Sequence, residues 1–125
     1  MAATRILLVE DNDVYRASLE LLLGMQDGLE VVGGVSDGAA AASACAGLGA
    51  DVVLMDLRLP GLDGAAATAE VISACPGVAV LGLTAEATDE DDAAIREAGA
   101  VGLVRKGEPV EELVAAIRAA VGRYA

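Results

Sequence analysis

The sequence has no histidine, no tryptophan and no phenylalanine, and only two tyrosines, Tyr15 and Tyr124. A core without large rings must be built from Leu, Val, Ile and many Ala, which favours close packing of helices on a sheet. Cysteine is scarce as well: Cys45 and Cys75 stand far apart with no CxxC and no Cys/His spacing, which excludes a zinc site and a disulfide framework. Basic residues number 8 against 20 acidic ones, a formal net charge of −12. Such a field repels phosphate backbones, so no direct nucleic-acid binding is expected and the natural small partner is a cation. Long hydrophobic runs are also missing. Val52-Val53-Leu54-Met55 is of strand length only, and Met1-Ala2-Ala3-Thr4-Arg5 leads into no cleavage-type segment; no membrane span or signal peptide is expected, and a cytoplasmic location is. With no repeat, linker or low-complexity stretch, residues 1–125 are expected to form one domain.

What is present is a regular alternation. Short aliphatic runs predict strands over Arg5–Val9, Glu30–Val35, Asp51–Met55, Val78–Leu83 and Val101–Val104, and the central ones are apolar throughout, as strands covered on both faces must be. Helical patterns between them predict helices over Val14–Met25, Gly38–Ala46, Ala65–Ala74, Asp89–Ala98 and Val110–Arg123. Gly28, Gly47, Gly49, Pro76-Gly77 and Gly99 supply the stops. Asp11 or Asp13 is expected to cap the first helix and Thr88 the fourth. The last helix carries Pro109 at its first turn, Glu111 and Glu112 at its positive end, and Val110, Leu113, Val114, Ile117 and Val121 along one stripe. Five βα units in this length predict an α/β fold: a flavodoxin-like, doubly wound five-stranded parallel sheet of strand order 2-1-3-4-5 in a three-layer sandwich.

In such a sheet ligands bind beyond the carboxyl ends of the strands, where the winding reverses. Strand 1 runs into Glu10-Asp11, strand 3 into Asp56, strand 4 into Thr84 and strand 5 into Arg105-Lys106. With neighbouring strands about 4.8 Å apart, three carboxylates, a hydroxyl and an ammonium converge on one site. Each close carboxylate pair repels by roughly 4 kcal/mol at an effective dielectric of about 20, so a cation must offset them. Mg²⁺ suits the hard oxygens, whereas no DxDxDG loop offers a calcium cage. The loop Glu10-Asp11-Asn12-Asp13 lacks the glycines that cradle a free phosphate. A phosphoryl group is welcome there only when metal-bound and attached to a carboxylate, and Asp56, the middle acid, is the candidate acceptor. Taken singly, each residue also reads as a cap, a turn hydroxyl or a solvated charge, and Asp63-Gly64 reads as turn chemistry; their joint placement on the ligand edge favours a site.

The segments Ile6-Leu-Leu-Val-Glu-Asp-Asn12, Asp51-Val-Val-Leu-Met-Asp-Leu-Arg-Leu-Pro-Gly-Leu-Asp-Gly64, Leu83-Thr-Ala85 and Val104-Arg-Lys106 resemble the response-regulator receiver family of bacterial two-component systems. Leu29-Glu-Val-Val-Gly33, Ser36-Asp-Gly38 and the Lys106-Gly107 junction look most like its NarL/FixJ type. The resemblance implies that Asp56 takes a phosphoryl group from the phosphohistidine of a sensor histidine kinase. It implies that Glu10, Asp11, Asp56 and the backbone carbonyl of Arg58 hold Mg²⁺, that Lys106 contacts a phosphoryl oxygen, and that the Thr84 hydroxyl swings towards it. Pro60 and Gly64 shape the loop after strand 3. Arg58 and Glu86 occupy places that tune phosphate loss in the family, and an ion pair between them across the site is expected.

The family's usual aromatic, three places before the lysine, is Leu103 here, which puts the usual coupling to the helix 4, strand 5, helix 5 face in question. The implied function is a switch in protein interactions controlling transcription through a separate output domain, with self-phosphorylation and self-dephosphorylation as its only chemistry and no turnover of external substrates. The NarL/FixJ likeness implies a C-terminal helix-turn-helix output domain, absent from this sequence, as an expectation, and homodimerisation is open. The NarL/FixJ likeness favours an excised amino-terminal domain over a stand-alone protein. Two alternatives stand: a constitutive scaffold of the same fold, and an aspartate-based phosphohydrolase, which would carry a DxD arrangement where Asp56 is followed by Leu57-Arg58.

Overall fold

The computed structural model describes residues 2–124. The chain alternates β1 (Thr4–Val9), α1 (Asp13–Gly24), β2 (Leu29–Val35), a 3₁₀ turn (Gly38–Ala40), α2 (Ala41–Leu48), β3 (Val52–Asp56), α3 (Gly64–Ala74), β4 (Ala79–Thr84), α4 (Asp89–Glu97), β5 (Gly102–Arg105) and α5 (Val110–Tyr124). All strand pairs are parallel and their order is 2-1-3-4-5, as the alternation predicts. The expected domain over 1–125 is described except for Met1 and Ala125, which lie outside the described residues.

The period of two in the strands divides the core between the sheet's faces. Ile6, Leu8, Leu54, Leu81 and Leu83 point to one face and are covered by Leu19 and Leu23 of α1 and Leu113 and Ile117 of α5. Leu7, Val9, Val53, Met55 and Val80 point to the other and meet Ala41 and Cys45 of α2, Ala67 and Val71 of α3 and Ile95 of α4. All five residues of β3 are buried, so this strand is the fixed centre to which the others are referred. Burying each such aliphatic side chain contributes about 1.5–3 kcal/mol. Among the described residues no helix is long and apolar enough to cross a membrane.

Differences from expectation fall at element ends. The second helix begins as a 3₁₀ turn because the Asp37 side chain accepts from Ala40 N–H and closes a tighter first turn. Gly38 is buried there with its α-carbon against the Leu62 carbonyl, where a Cβ would collide. The helix stops at Gly49 in the left-handed region, φ 65°, and Gly47 lies within it. The cap of α1 is Asn12, whose Oδ1 accepts from Tyr15 N–H at 2.9 Å, not Asp11 or Asp13. Asp11 is thereby left free at the ligand edge, while Asp13 pairs with Arg16 at 2.7 Å. Thr88 caps α4 as expected, and Asp63 caps α3 by accepting from Ala66 N–H at 2.9 Å.

Candidate functional site

The parallel register brings the predicted residues together. Glu10 follows β1, Asp56 ends β3 and Thr84 ends β4, all almost fully buried, at 1 %, 2 % and 1 % exposure. Carboxylate oxygens of Glu10, Asp11 and Asp56 lie within 4.8 Å of one another, with Asp11 exposed at the mouth. Lys106, one residue past β5, is anchored by its N–H to the Thr84 carbonyl at 2.7 Å. Its ammonium stands 2.5 Å from Glu10 Oε1 and 3.2 Å from Asp56 Oδ2. It is the only lysine in the chain.

Each carboxylate is also held from its own loop. Asn12 N–H donates to Glu10 Oε2 at 3.0 Å, and Arg58 N–H donates to Asp56 Oδ1 at 3.0 Å. Arg16 donates from its guanidinium to the Glu10 backbone carbonyl at 2.6 Å, bracing the end of β1 from α1. Among the described residues the Lys106 ammonium is the one partner of Glu10 Oε1. A fully buried carboxylate oxygen thus keeps a lone pair open in the pocket. One ammonium pairs with two of the three carboxylates and leaves Asp11 uncompensated at the mouth, and this hard-oxygen donor set fits a small divalent cation such as Mg²⁺.

Burial opposes ionisation of all these groups, and their neighbours decide the outcome. Burial dominates at Glu10 and pushes its carboxyl above the ordinary 4.5, with Lys106 and the Asn12 N–H opposing and Asp56 adding to the rise. At Asp56 burial is again the largest single influence, but the Arg58 N–H, Glu10 and Lys106 together outweigh it and hold the carboxyl below 3.8. Burial draws the Lys106 ammonium down, while its two carboxylate partners raise it above 10.5. Asp56 is therefore the acid of the buried pair that ionises first, and Lys106 stays charged beside it.

Arg58 departs from expectation. Its guanidinium pairs with Asp91 of α4 at 2.9 Å and not with Glu86. Glu86 instead offers its backbone carbonyl to the Thr84 hydroxyl at 2.9 Å, so that hydroxyl must break this bond to reach a group on Asp56. Leu103 is half-buried, and its Cδ1 lies 2.8 Å from where a Cβ on Gly82 would stand, with Ile95 of α4 and Leu57 nearby. Gly82 makes the hollow in which this leucine rests. Sequence reasoning missed Tyr15, whose ring centroid is 4.9 Å from the Lys106 ammonium, and Arg16; no spacing along the chain links either to its partner.

The fold, five parallel strands in this order with helices on both faces, is matched among known proteins. Residues 6–118 match the response regulator receiver domain family, and the chain belongs to it. It is 36 % identical over 114 residues to the response regulator GacA of Pseudomonas viridiflava, covering 91 % of this chain and 53 % of that protein. The chain thus spans about half the length of the curated relatives it matches. The signal receiver domain of the response regulator NarL from Mycobacterium tuberculosis superposes with a TM-score of 0.92 at 29 % identity, covering 98 % of both chains. The receiver domain of the sensor histidine kinase PA1611 from Pseudomonas aeruginosa, with a magnesium ion coordinated in its active-site cleft, superposes with a TM-score of 0.85 at 34 % identity, covering 97 % of this chain and 99 % of that one. The expected NarL/FixJ likeness agrees with these relatives.

Proposed function

We propose that this receiver domain accepts a phosphoryl group on Asp56 from the phosphohistidine of a sensor histidine kinase and thereby switches a protein interaction. The observation that carries this reading is the Lys106 ammonium set between two buried carboxylates, with Asp56 held ionised. An Asp56 carboxylate oxygen attacks phosphorus, the bond from phosphorus to the donor imidazole nitrogen breaks, and the imidazole leaves with the electron pair. Glu10, Asp11, Asp56 and the Arg58 backbone carbonyl would hold Mg²⁺. The ion would supply neutralisation of charge on the transferring phosphoryl oxygens. Lys106 contacts one of those oxygens, and Thr84 releases the Glu86 carbonyl to contact another. Positioning and charge neutralisation suffice for this transfer, and no separate base is needed.

The reading extends to a cytoplasmic domain of a longer regulator whose helix-turn-helix output domain controls transcription, with homodimerisation as a means of output and no membrane or nucleic-acid contact by this domain. Incubation with a small acyl phosphate and Mg²⁺ is expected to add one phosphate per chain by intact mass, and chelation of Mg²⁺ to abolish the uptake. A chain inert to the phosphodonor would favour the constitutive scaffold. Sustained turnover of an external phosphate ester would favour the phosphohydrolase.

The Arg58–Asp91 pair bears on how long the phosphate lasts. Its guanidinium is mostly exposed, so it contributes only about 0–1 kcal/mol to stability, and its effect is kinetic. It ties the loop after Asp56 to α4 and restrains the opening that admits water for in-line attack. Self-dephosphorylation is expected to accelerate several-fold in Arg58→Ala and in Asp91→Ala, non-additively in the double variant. Glu86→Ala should decay at the wild-type rate. Decay curves after removal of the donor check this, and identical decay in all variants would sink the tether.

A further inference from the structure

Lys106 is reached by a contact outside the acidic cluster. Its ammonium lies 4.9 Å from the centroid of the Tyr15 ring, within the range of a cation–π contact. Tyr15 sits in the first turn of α1, where its N–H bonds to the Asn12 cap. The half-buried ring packs against the same core cluster as Leu19, Leu83 and Val104. Those residues line, with Tyr15, a cleft between α1 and the end of β5. The ring is therefore held by the body of the protein and by the helix cap, independently of the lysine.

We propose that Tyr15 is a positioning residue for Lys106, its ring forming the apolar wall that confines the ammonium to the side occupied by Glu10 and Asp56. The proposal rests on the receiver reading for the role of Lys106 itself. A lysine stem is flexible and its ammonium strongly hydrated. The ion leaves water on the ring side at little cost, because the ring's negative face replaces that hydration. Only about a fifth of the Lys106 side chain remains exposed, and the carboxylates fill the direction left open. Burial foremost, with Glu10 and Asp56 adding to it, raises the Tyr15 hydroxyl above its ordinary value of 10.0 against the pull of Lys106. The ring consequently meets the ammonium as a neutral phenol, and it is the ring, not the hydroxyl, that matters.

The presence of a single lysine makes the test direct. In protein labelled with ¹³C-lysine, the ε-methylene protons of Lys106 are expected to show a ring-current shift and a nuclear Overhauser contact to the Tyr15 ring. Both should persist in Tyr15→Phe and vanish in Tyr15→Leu. Phosphate uptake from a small acyl phosphate at saturating Mg²⁺ should slow about 3- to 10-fold in Tyr15→Leu and stay within about twofold in Tyr15→Phe. Mg²⁺ affinity should stay within about twofold of wild type in both. A merely structural role for the tyrosine would move Mg²⁺ affinity along with the rate. Absence of the Overhauser contact in the wild-type protein would overturn the proposal, and so would equal slowing in the two variants. If the wild type took up no phosphate, the receiver reading would fail, and the lysine resonance would still decide the placement of Lys106 by Tyr15.

Discussion

Asp56→Asn is expected to take up no phosphate from a small acyl phosphate, against one phosphate per chain in the wild type. Of the two carboxylates that lie against the Lys106 ammonium, Asp56 is the one held below its ordinary value. Glu10 is equally buried but is pushed the other way by its burial and by Asp56, and Asp11 has no contact with Lys106 among those described. Asparagine keeps the shape and can still accept from Arg58 N–H, so the fold should survive. It cannot attack phosphorus, and it contributes one charge fewer to a cation. Millimolar Mg²⁺ should therefore raise the melting temperature of the wild type through linkage and raise that of the variant much less. Intact mass and paired melting curves check both parts. A phosphorylated Asp56→Asn product would mean that another carboxylate is the acceptor.

The second large effect is expected from one methyl group. A Cβ on Gly64 would stand 2.5 Å from the Asp56 carbonyl oxygen and 2.7 Å from the Leu57 α-carbon. Both are backbone atoms of the end of β3, which cannot rotate away as a side chain would. Gly64→Ala must open the loop that returns from Asp56 to α3, and with it the bond from Arg58 N–H to the Asp56 carboxylate. We expect a loss of about 2–3 kcal/mol of stability, together with a much weakened response to Mg²⁺ and slower phosphate uptake. Gly47→Ala is the contrast: it lies within α2 with nothing within 4 Å of the new methyl, and should gain about 0.5–1 kcal/mol. Urea unfolding of both variants separates the two cases, and a neutral Gly64→Ala would show that this close approach does not constrain the loop.

Much of this was legible in the sequence because the site is made by strand ends. Five βα units wound in the order 2-1-3-4-5 bring the ends of strands 1, 3, 4 and 5 side by side, and Glu10, Asp56, Thr84 and Lys106 converge with them. What stayed illegible depends on side-chain direction. Asp11, Asn12 and Asp13 can each cap a helix by chemistry alone; the structure uses Asn12 because Asp13 already lies in the first turn and pairs with Arg16. The parallel offsets of Arg58 and Glu86 from Asp56 and Thr84 predict a pair, but the loop sends the Arg58 guanidinium to Asp91 in the first turn of α4. The thiols were readable only as unpaired: Cys45 proves buried, and burial, with Cys75 beside it, pushes it up to about 12, so it stays a protonated core side chain.

The scarcity of rings has an optical consequence. With no tryptophan or phenylalanine, the near-ultraviolet absorption and emission of the protein belong to Tyr15 and Tyr124. Tyr15 lies against the cation that any occupant of the acidic pocket must displace or share. Replacing Tyr124 by a non-aromatic residue would leave a single chromophore, and the chain would then report the charge state of its own pocket without an attached dye.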